Sequence, residues 1–215
     1  MSDKRRALAA LRTEYSGAPI GPESAEPDPY RQFQLWFDEA LSAEVPQVNA
    51  MTLATLGLDG RPRARVVLLK DAGPDGFVFF TNYESDKGRE LRASPSASLC
   101  FFWEPLHRQV RVVGEVAELG AGESDEYFAS RPLESRIGAW ASPQSQEIPS
   151  RSWLEARGAE LAERFGATVP RPAHWGGFVL QPDLFEFWQG REARLHDRVS
   201  YEFDGDAWVR RRLAP

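Results

Sequence analysis

Met51-Thr52-Leu53-Ala54-Thr55-Leu56-Gly57-Leu58-Asp59-Gly60-Arg61-Pro62-Arg63-Ala64-Arg65-Val66-Val67-Leu68-Leu69 carries the pattern that decides the fold. Two strand-like runs, Met51–Leu56 and Arg63–Leu69, flank Asp59-Gly60, a pair suited to the positive φ angles of a tight hairpin turn. Working outward, Phe77–Thr81, Ser96–Trp103 and Gln109–Leu119 continue as a meander across further turns. Five strands within about seventy residues predict an antiparallel barrel or sandwich. After Pro170 come Trp175–Leu180, Leu184–Trp188, Leu195–Phe203 and Trp208–Arg212, the last two joined by Asp204-Gly205.

Helices interrupt this pattern at the periphery. Asp28-Pro29 opens one whose apolar residues Phe33, Trp36, Phe37, Ala40 and Leu41 follow the 3.6-residue period, a stripe for core packing. Ser85–Ala93 reads as a second and Glu123–Ser130 as the start of a third. Ser152 with Glu155 suggests a capping box for a helix ending near Gly166. Residues 1–15 suit a short basic helix, and Ser16–Pro29, rich in Gly, Pro and Glu, an irregular connector. The fold class is therefore mainly β with peripheral helices.

A chain of 215 residues, 42% hydrophobic, favours a single domain. We expect 30–215 to form it and 1–29 to be a flexible N-terminal segment or lid. No apolar run approaches the ~20 residues that span a bilayer, and Met1-Ser2-Asp3-Lys4-Arg5-Arg6 lacks the apolar segment of a secretory signal, so a cytoplasmic protein is expected. The net charge of −6 argues against broad electrostatic binding to nucleic acid or anionic membranes. An anionic ligand would have to be held by a local cluster of Arg and Lys. Cys100 is the one cysteine, which excludes an intrachain disulfide and suggests a buried, inert thiol. Three histidines without ligand spacing predict no metal site.

Chemistry concentrates in three places. In Phe187-Trp188-Gln189-Gly190-Arg191-Glu192-Ala193-Arg194-Leu195-His196-Asp197-Arg198, residues Arg194, His196 and Arg198 alternate. On an extended strand they would leave one face beside Trp188 and Gln189, as the wall of a pocket for a flat anionic ligand; a solvated strand edge is the alternative. In Tyr127-Phe128-Ala129-Ser130-Arg131-Pro132-Leu133-Glu134-Ser135, the residues Tyr127, Arg131 and Ser135 are four apart. Pro132 breaks a continuous helix, which favours a helix end feeding a turn; either way two hydroxyls and a guanidinium can converge on a phosphate. Finally, a helix starting near Ser85 would aim free N–H groups and Lys87 at an anion, although a lone lysine in a turn is ordinarily solvated.

With Arg65-Val66-Val67-Leu68-Leu69-Lys70, the stretch through Ser142-Pro143-Gln144-Ser145 and the ending Arg212-Leu213-Ala214-Pro215, these segments resemble the pyridoxine (pyridoxamine) 5′-phosphate oxidases, from about Leu11 to Pro215. The resemblance implies an antiparallel, Greek-key-like split β-barrel and a homodimer with FMN at its interface. It implies oxidation of pyridoxine or pyridoxamine 5′-phosphate at C4′ to pyridoxal 5′-phosphate, with hydride passing to FMN and O2 becoming H2O2. It places Arg65, Thr81 and Lys87 about the flavin phosphate or ribityl chain. Val66, Val67, Leu68, Lys70, Phe80, Gln109, Gln144, Ser145, Trp188 and Arg198 also belong to the cofactor site. Lys70, Tyr127, Arg131 and Ser135 would take the substrate phosphate, and Arg194 and His196 the pyridine ring, with Arg194 flat on its face. Arg12 and Tyr15 match a segment that closes over the site. His107 and His174 read as structural and Asp197 as a salt-bridge partner. Asp86 departs from the family, which often has Arg there; we expect it to turn outward. A flavin reductase on the same barrel and a non-catalytic flavin or pyridoxal-phosphate binder are the competing readings.

Overall fold

The computed structural model describes residues 3–11 and 14–215. Among these residues the elements are helices α1 (Asp3–Ala10), α2 (Pro29–Ser42), α3 (Asp86–Ala93), α4 (Ala121–Ser130), α5 (Leu133–Ala141) and α6 (Arg151–Phe165). The strands are β1 (Ala50–Leu56), β2 (Pro62–Leu68), β3 (Asp71–Gly73), β4 (Gly76–Asn82), β5 (Ser96–Trp103), β6 (Arg108–Glu118), β7 (Trp175–Gln189), β8 (Asp197–Phe203) and β9 (Trp208–Leu213). No described helix is long and apolar enough to cross a membrane. Contacts group the chain into two compact units: Met1–Val48 with Phe102–Arg111 and Leu184–Pro215, and Asn49–Phe101 with Val112–Asp183.

The second unit holds the hairpin that decides the fold. β1 and β2 pair antiparallel from Ala50↔Leu68 to Leu56↔Pro62. The turn closes through Gly57 N donating to Arg61 O at 2.8 Å, with Gly60 at φ 75°, where only glycine is unstrained. The expected meander is corrected: strand order is β2-β1-β5-β6-β7-β4-β3, so β5 returns to pair with β1 and β7 is inserted beside β4. Burial explains the insertion. β4 reads Gly-Phe-Val-Phe-Phe-Thr-Asn with nearly every position buried, so it needs a partner on each edge and cover on both faces. Leu53, Phe77, Phe79, Leu99, Phe101, Val112, Phe178 and Leu180 are buried and form the core of this antiparallel split barrel. Cys100 is half-buried, less enclosed than its apolar neighbours suggested.

Local signals set the helix ends. Ser85 caps α3 by accepting from Gly88 N at 3.3 Å. Gly88 must remain small, since a Cβ there would overlap the Tyr83 carbonyl. At α6 the cap is Ser150, accepting from Trp153 N at 3.0 Å, not Ser152 as expected. The helix starts at Arg151, so Glu155 pairs with Arg151 at 2.7 Å instead of closing a capping box. α4 ends at Arg131 and α5 starts after Pro132, both extended, so the break at the proline is real.

In the first unit, Asp28 Oδ1 accepts from Tyr30 N at 2.8 Å and Pro29 occupies the first turn of α2. Phe33, Trp36 and Ala40 are buried, Trp36 edge-on to Phe187 at 5.3 Å, whereas Leu41 is 51% exposed and falls outside the stripe. β7 is one continuous strand, where two were expected. Its N-terminal part pairs with β4 as far as Leu180 and its C-terminal part with β8 from Leu184. Pro182 lies between the two ladders, where its missing N–H costs no pairing bond.

Candidate functional site

A polar cavity of about 480 Å³ lies within the second unit. At one end, Lys87 in the first turn of α3 donates from Nζ to Gln144 Oε1 at 2.9 Å, and Thr81 Oγ1 donates to the same oxygen at 3.2 Å. Burial, and then the charge of Arg65, hold the Lys87 ammonium below the usual lysine range. A desolvated cation at a helix N-terminus, with a hydroxyl and an amide beside it, is suited to a phosphate. Asp86 leaves this set alone: it is 59% exposed and pairs with Arg89 at 2.7 Å, turned outward as expected. Val66, Val67 and Leu68 of β2 line the cavity, and Phe80 and Trp175 also face it.

Tyr127, Arg131 and Ser135 line the same cavity, as their spacing suggested, and Lys70, which only the resemblance added, lines it with them. The Arg131 guanidinium lies 4.5 Å from the Trp175 ring centre, and its Nη1 is buried without a hydrogen-bond partner. Burial pulls its pKa below the ordinary guanidinium value. A buried donor left unmet costs about 1–3 kcal/mol, and an anion in the cavity would remove that cost. Phe80 and Tyr127 stack at 3.9 Å and 17°, with Trp175 almost parallel to Tyr127, which restricts the phenol ring. The Lys70 ammonium sits over Tyr127 at 5.8 Å.

Arg65 is turned to a partner that the sequence did not reveal. Its guanidinium pairs with Glu90 Oε2 at 2.7 Å and bonds the Thr55 hydroxyl, which itself donates to Glu90 at 2.6 Å. Glu90 is 5% exposed, so this pair ties β2 to α3 and holds a positive charge near Lys87. The signal was only a charged residue three places before the end of a short helix, which is ordinarily solvent-facing. Ser145 is exposed, at φ 68°.

The remaining candidates gather in the first unit. Here the alternation of Arg194, His196 and Arg198 on one strand is corrected. β8 begins only at Asp197; Arg194 lies in a 3-10 turn over Glu192–Arg194, with Ala193 at φ 53° and Arg194 at φ 61°. Two successive left-handed residues break the extended geometry that the alternation assumed, and strain of this kind gathers at functional loops. Arg194 is exposed. His196 Nδ1 accepts from Arg191 N at 3.0 Å, which leaves the ring proton on Nε2 as a donor. Burial and then Arg194 lower the pKa of His196, favouring that neutral form.

Trp188 packs on His196 at 4.7 Å, and Tyr15 meets both rings edge-on at 5.6 and 5.5 Å. Gly17 N donates to Gly190 O at 3.2 Å and fastens the segment that carries Tyr15. Arg12 lies outside the described residues. Arg198 points to Glu186 and also donates to Ala214 O at 2.8 Å. Gln109 is half-buried on β6. His107 accepts from Ser16 N at 3.5 Å, and His174 Nε2 lies 3.1 Å from Ala139 O, both structural contacts. Asp197 pairs with Arg212 at 2.9 Å, a salt bridge as expected. No group of His, Cys, Asp and Glu among the described residues is arranged to hold a metal ion.

An antiparallel split barrel with peripheral helices and a cavity whose cations suit phosphorylated ligands defines a class of ligand-binding barrel proteins. Residues 37–165 match the family model described as pyridoxamine 5′-phosphate oxidase, and 175–215 match that of the pyridoxine 5′-phosphate oxidase C-terminal dimerisation region. The chain is 57% identical over 211 residues to a pyridoxine/pyridoxamine 5′-phosphate oxidase of Burkholderia multivorans, covering 97% of this chain and 99% of the relative. Among solved structures, PhzG from Burkholderia lata 383, in complex with tetrahydrophenazine-1-carboxylic acid, superposes with a TM-score of 0.87 at 33% identity, covering 93% of this chain and all of the other. A pyridoxamine 5′-phosphate oxidase-related, FMN binding protein of Nostoc punctiforme shares the fold with a TM-score of 0.69 at 16% identity, covering 92% of this chain and all of the other. The chain belongs to the pyridoxamine 5′-phosphate oxidase family.

Proposed function

We propose that this protein is an FMN-dependent oxidase that converts pyridoxine 5′-phosphate and pyridoxamine 5′-phosphate to pyridoxal 5′-phosphate. The observation that carries the reading is the buried, unpartnered Arg131 Nη1 in a cavity that also holds Lys87 with Gln144 and Thr81. Two cationic stations in one cavity suit two phosphates, one from a cofactor and one from a substrate. Lys87, Thr81 and Gln144 would hold the flavin phosphate, with Arg65 adding charge from its place on Glu90. Arg131, Ser135, Tyr127 and Lys70 would hold the substrate phosphate.

When bound, FMN supplies the two-electron acceptor that takes a hydride from C4′ and is returned to its oxidised form by O2, which leaves as H2O2. The alcohol then gives the aldehyde directly, and the amine gives an imine that water hydrolyses to the aldehyde and ammonia. The chain's own residues bind and orient. Arg194, exposed on a strained turn, is suited to lie against the pyridine ring, and His196 to donate from Nε2 to a ring substituent. Tyr15, packed on His196 and Trp188, would keep water from that side. A homodimer with FMN at its interface completes the proposal, supported by the match of 175–215 to a dimerisation region.

The test offers the purified, FMN-saturated protein each phosphate ester in air, following H2O2 and pyridoxal 5′-phosphate together. Equal yields of the two products are expected. Flavin reduction by a nicotinamide donor and not by either ester would select a flavin reductase. Bound flavin without turnover would select a binding protein.

A further inference from the structure

Glu186 lies on β7 and is 4% exposed, yet it meets two cations. Arg198 grips it with both ends of its fork, Nε to Oε1 at 3.0 Å and Nη2 to Oε2 at 2.9 Å. Arg111 Nη2 donates to Oε2 as well. Burial alone would raise this carboxyl's pKa, but the hydrogen bonds and charges of the two arginines outweigh it and hold the group ionised.

The surroundings give this cluster a purpose beyond stability. Glu186 and Trp188 are two apart on β7, and Trp188 is directly paired with Arg198 on β8, so all three side chains leave one face of the sheet. Arg111, which reaches the same carboxylate, stands two residues from Gln109 on β6, so Gln109 shares that face. Two guanidinium groups on one carboxylate leave a net positive charge. Arg198 is 27% and Arg111 45% exposed, so that charge opens outward from a buried anchor.

We propose that Glu186 is a positioning residue for the flavin site: its carboxylate holds Arg198 and Arg111 as fixed cations on the Gln109–Trp188 face. This rests on the FMN reading above, which assigns Gln109, Trp188 and Arg198 to the cofactor. An arginine free to change rotamer would have to be ordered at each binding event, whereas one clamped at both ends is already in place. Glu186 itself touches no ligand and acts through the two arginines.

The experiment is a double-mutant cycle on FMN affinity, measured by quenching of flavin fluorescence with the refolded apo-protein, alongside the visible circular dichroism of the bound flavin. Arg198→Ala is expected to weaken FMN binding about tenfold or more. Glu186→Gln, which keeps the size but loses the charge, should weaken it by a similar factor and reduce the induced flavin signal at saturation. In the Arg198→Ala background the same change should have a clearly smaller effect, limited to what the release of Arg111 contributes. Glu186→Asp keeps the charge but reaches one methylene less far, and should fall between Glu186→Gln and the parent; it serves if Glu186→Gln fails to fold. A folded Glu186→Gln or Glu186→Asp variant with parental affinity and flavin signal, beside an impaired Arg198→Ala, overturns the positioning role and leaves the flavin reading standing. Parental affinity in Arg198→Ala overturns the assignment of Arg198 to the flavin, and the proposal with it.

Discussion

Arg131→Ala is the sharpest test of the substrate station. The wild-type guanidinium is packed over Trp175 at 4.5 Å with Nη1 buried and unmet, so that donor is kept from water without a protein anion to justify it. A phosphate supplying that partner should gain the value of a charge-assisted hydrogen bond, about 1.5–3 kcal/mol. At 1.4 kcal/mol per factor of ten, kcat/KM for the phosphate esters should fall about 10- to 150-fold. Stability should move the other way or hardly at all. Removing an unmet buried donor relieves about 1–3 kcal/mol, while the lost cation–π contact costs ~0.5–2 kcal/mol. Tm should therefore fall by no more than about 4 °C and rise by no more than about 10 °C. The assay compares H2O2 release from pyridoxine 5′-phosphate with that from unphosphorylated pyridoxine, at saturating FMN. The variant should lose its preference for the ester while its FMN content and its rate on the unphosphorylated alcohol are retained. An equal drop for both substrates, or loss of FMN at unchanged kcat/KM, would refute the assignment of Arg131 to the substrate phosphate.

Lys87→Ala should weaken FMN binding about 10- to 150-fold and flatten its salt dependence, because a charged phosphate partner is removed; parental binding at every ionic strength would make Lys87 an incidental member of the cavity. Since the Lys87 pKa is lowered, its charge is lost at a lower pH than for an exposed lysine, so parental FMN affinity should decline from the alkaline side before pH 10.5, with Lys87→Arg abolishing that decline; an affinity flat to pH 10.5 contradicts it. Asp86→Arg should tighten FMN binding, since the carboxylate faces solvent and its exposed pair with Arg89 contributes only about 0.3–0.5 kcal/mol; weaker binding would mean that Asp86 orders the lysine beside it. His196 has a lowered pKa and its neutral form carries the Nε2 proton, so kcat/KM should be full at neutral pH and fall only below pH 6.5; a pH profile still rising above 6.5 would count against a neutral donor.

What the sequence determined by itself is what short-range rules govern. The Asp59-Gly60 turn, the caps Asp28 and Ser85 and the break at Pro132 each depend on residues within four positions, so propensity and spacing suffice to place them. The family was legible for a different reason: its motifs keep residue types in order along the chain, which needs no geometry. The tertiary structure alone decided the strand order, because which strand lies beside β4 depends on burying both faces of a nearly all-buried strand, a property of the assembled sheet. It also decided what the arginines do. Arg65 finds Glu90 25 residues away, and Glu186 collects Arg198 from 12 residues away and Arg111 from 75. Pairing at such separations leaves no local pattern. The alternation of Arg194, His196 and Arg198 misled because period two has meaning only on an extended backbone, and Ala193 and Arg194 adopt left-handed angles instead. The orphaned Nη1 of Arg131 is the clearest case: the sequence supplied a guanidinium at the right spacing, and only the packed cavity stripped it of water and left it needing an anion.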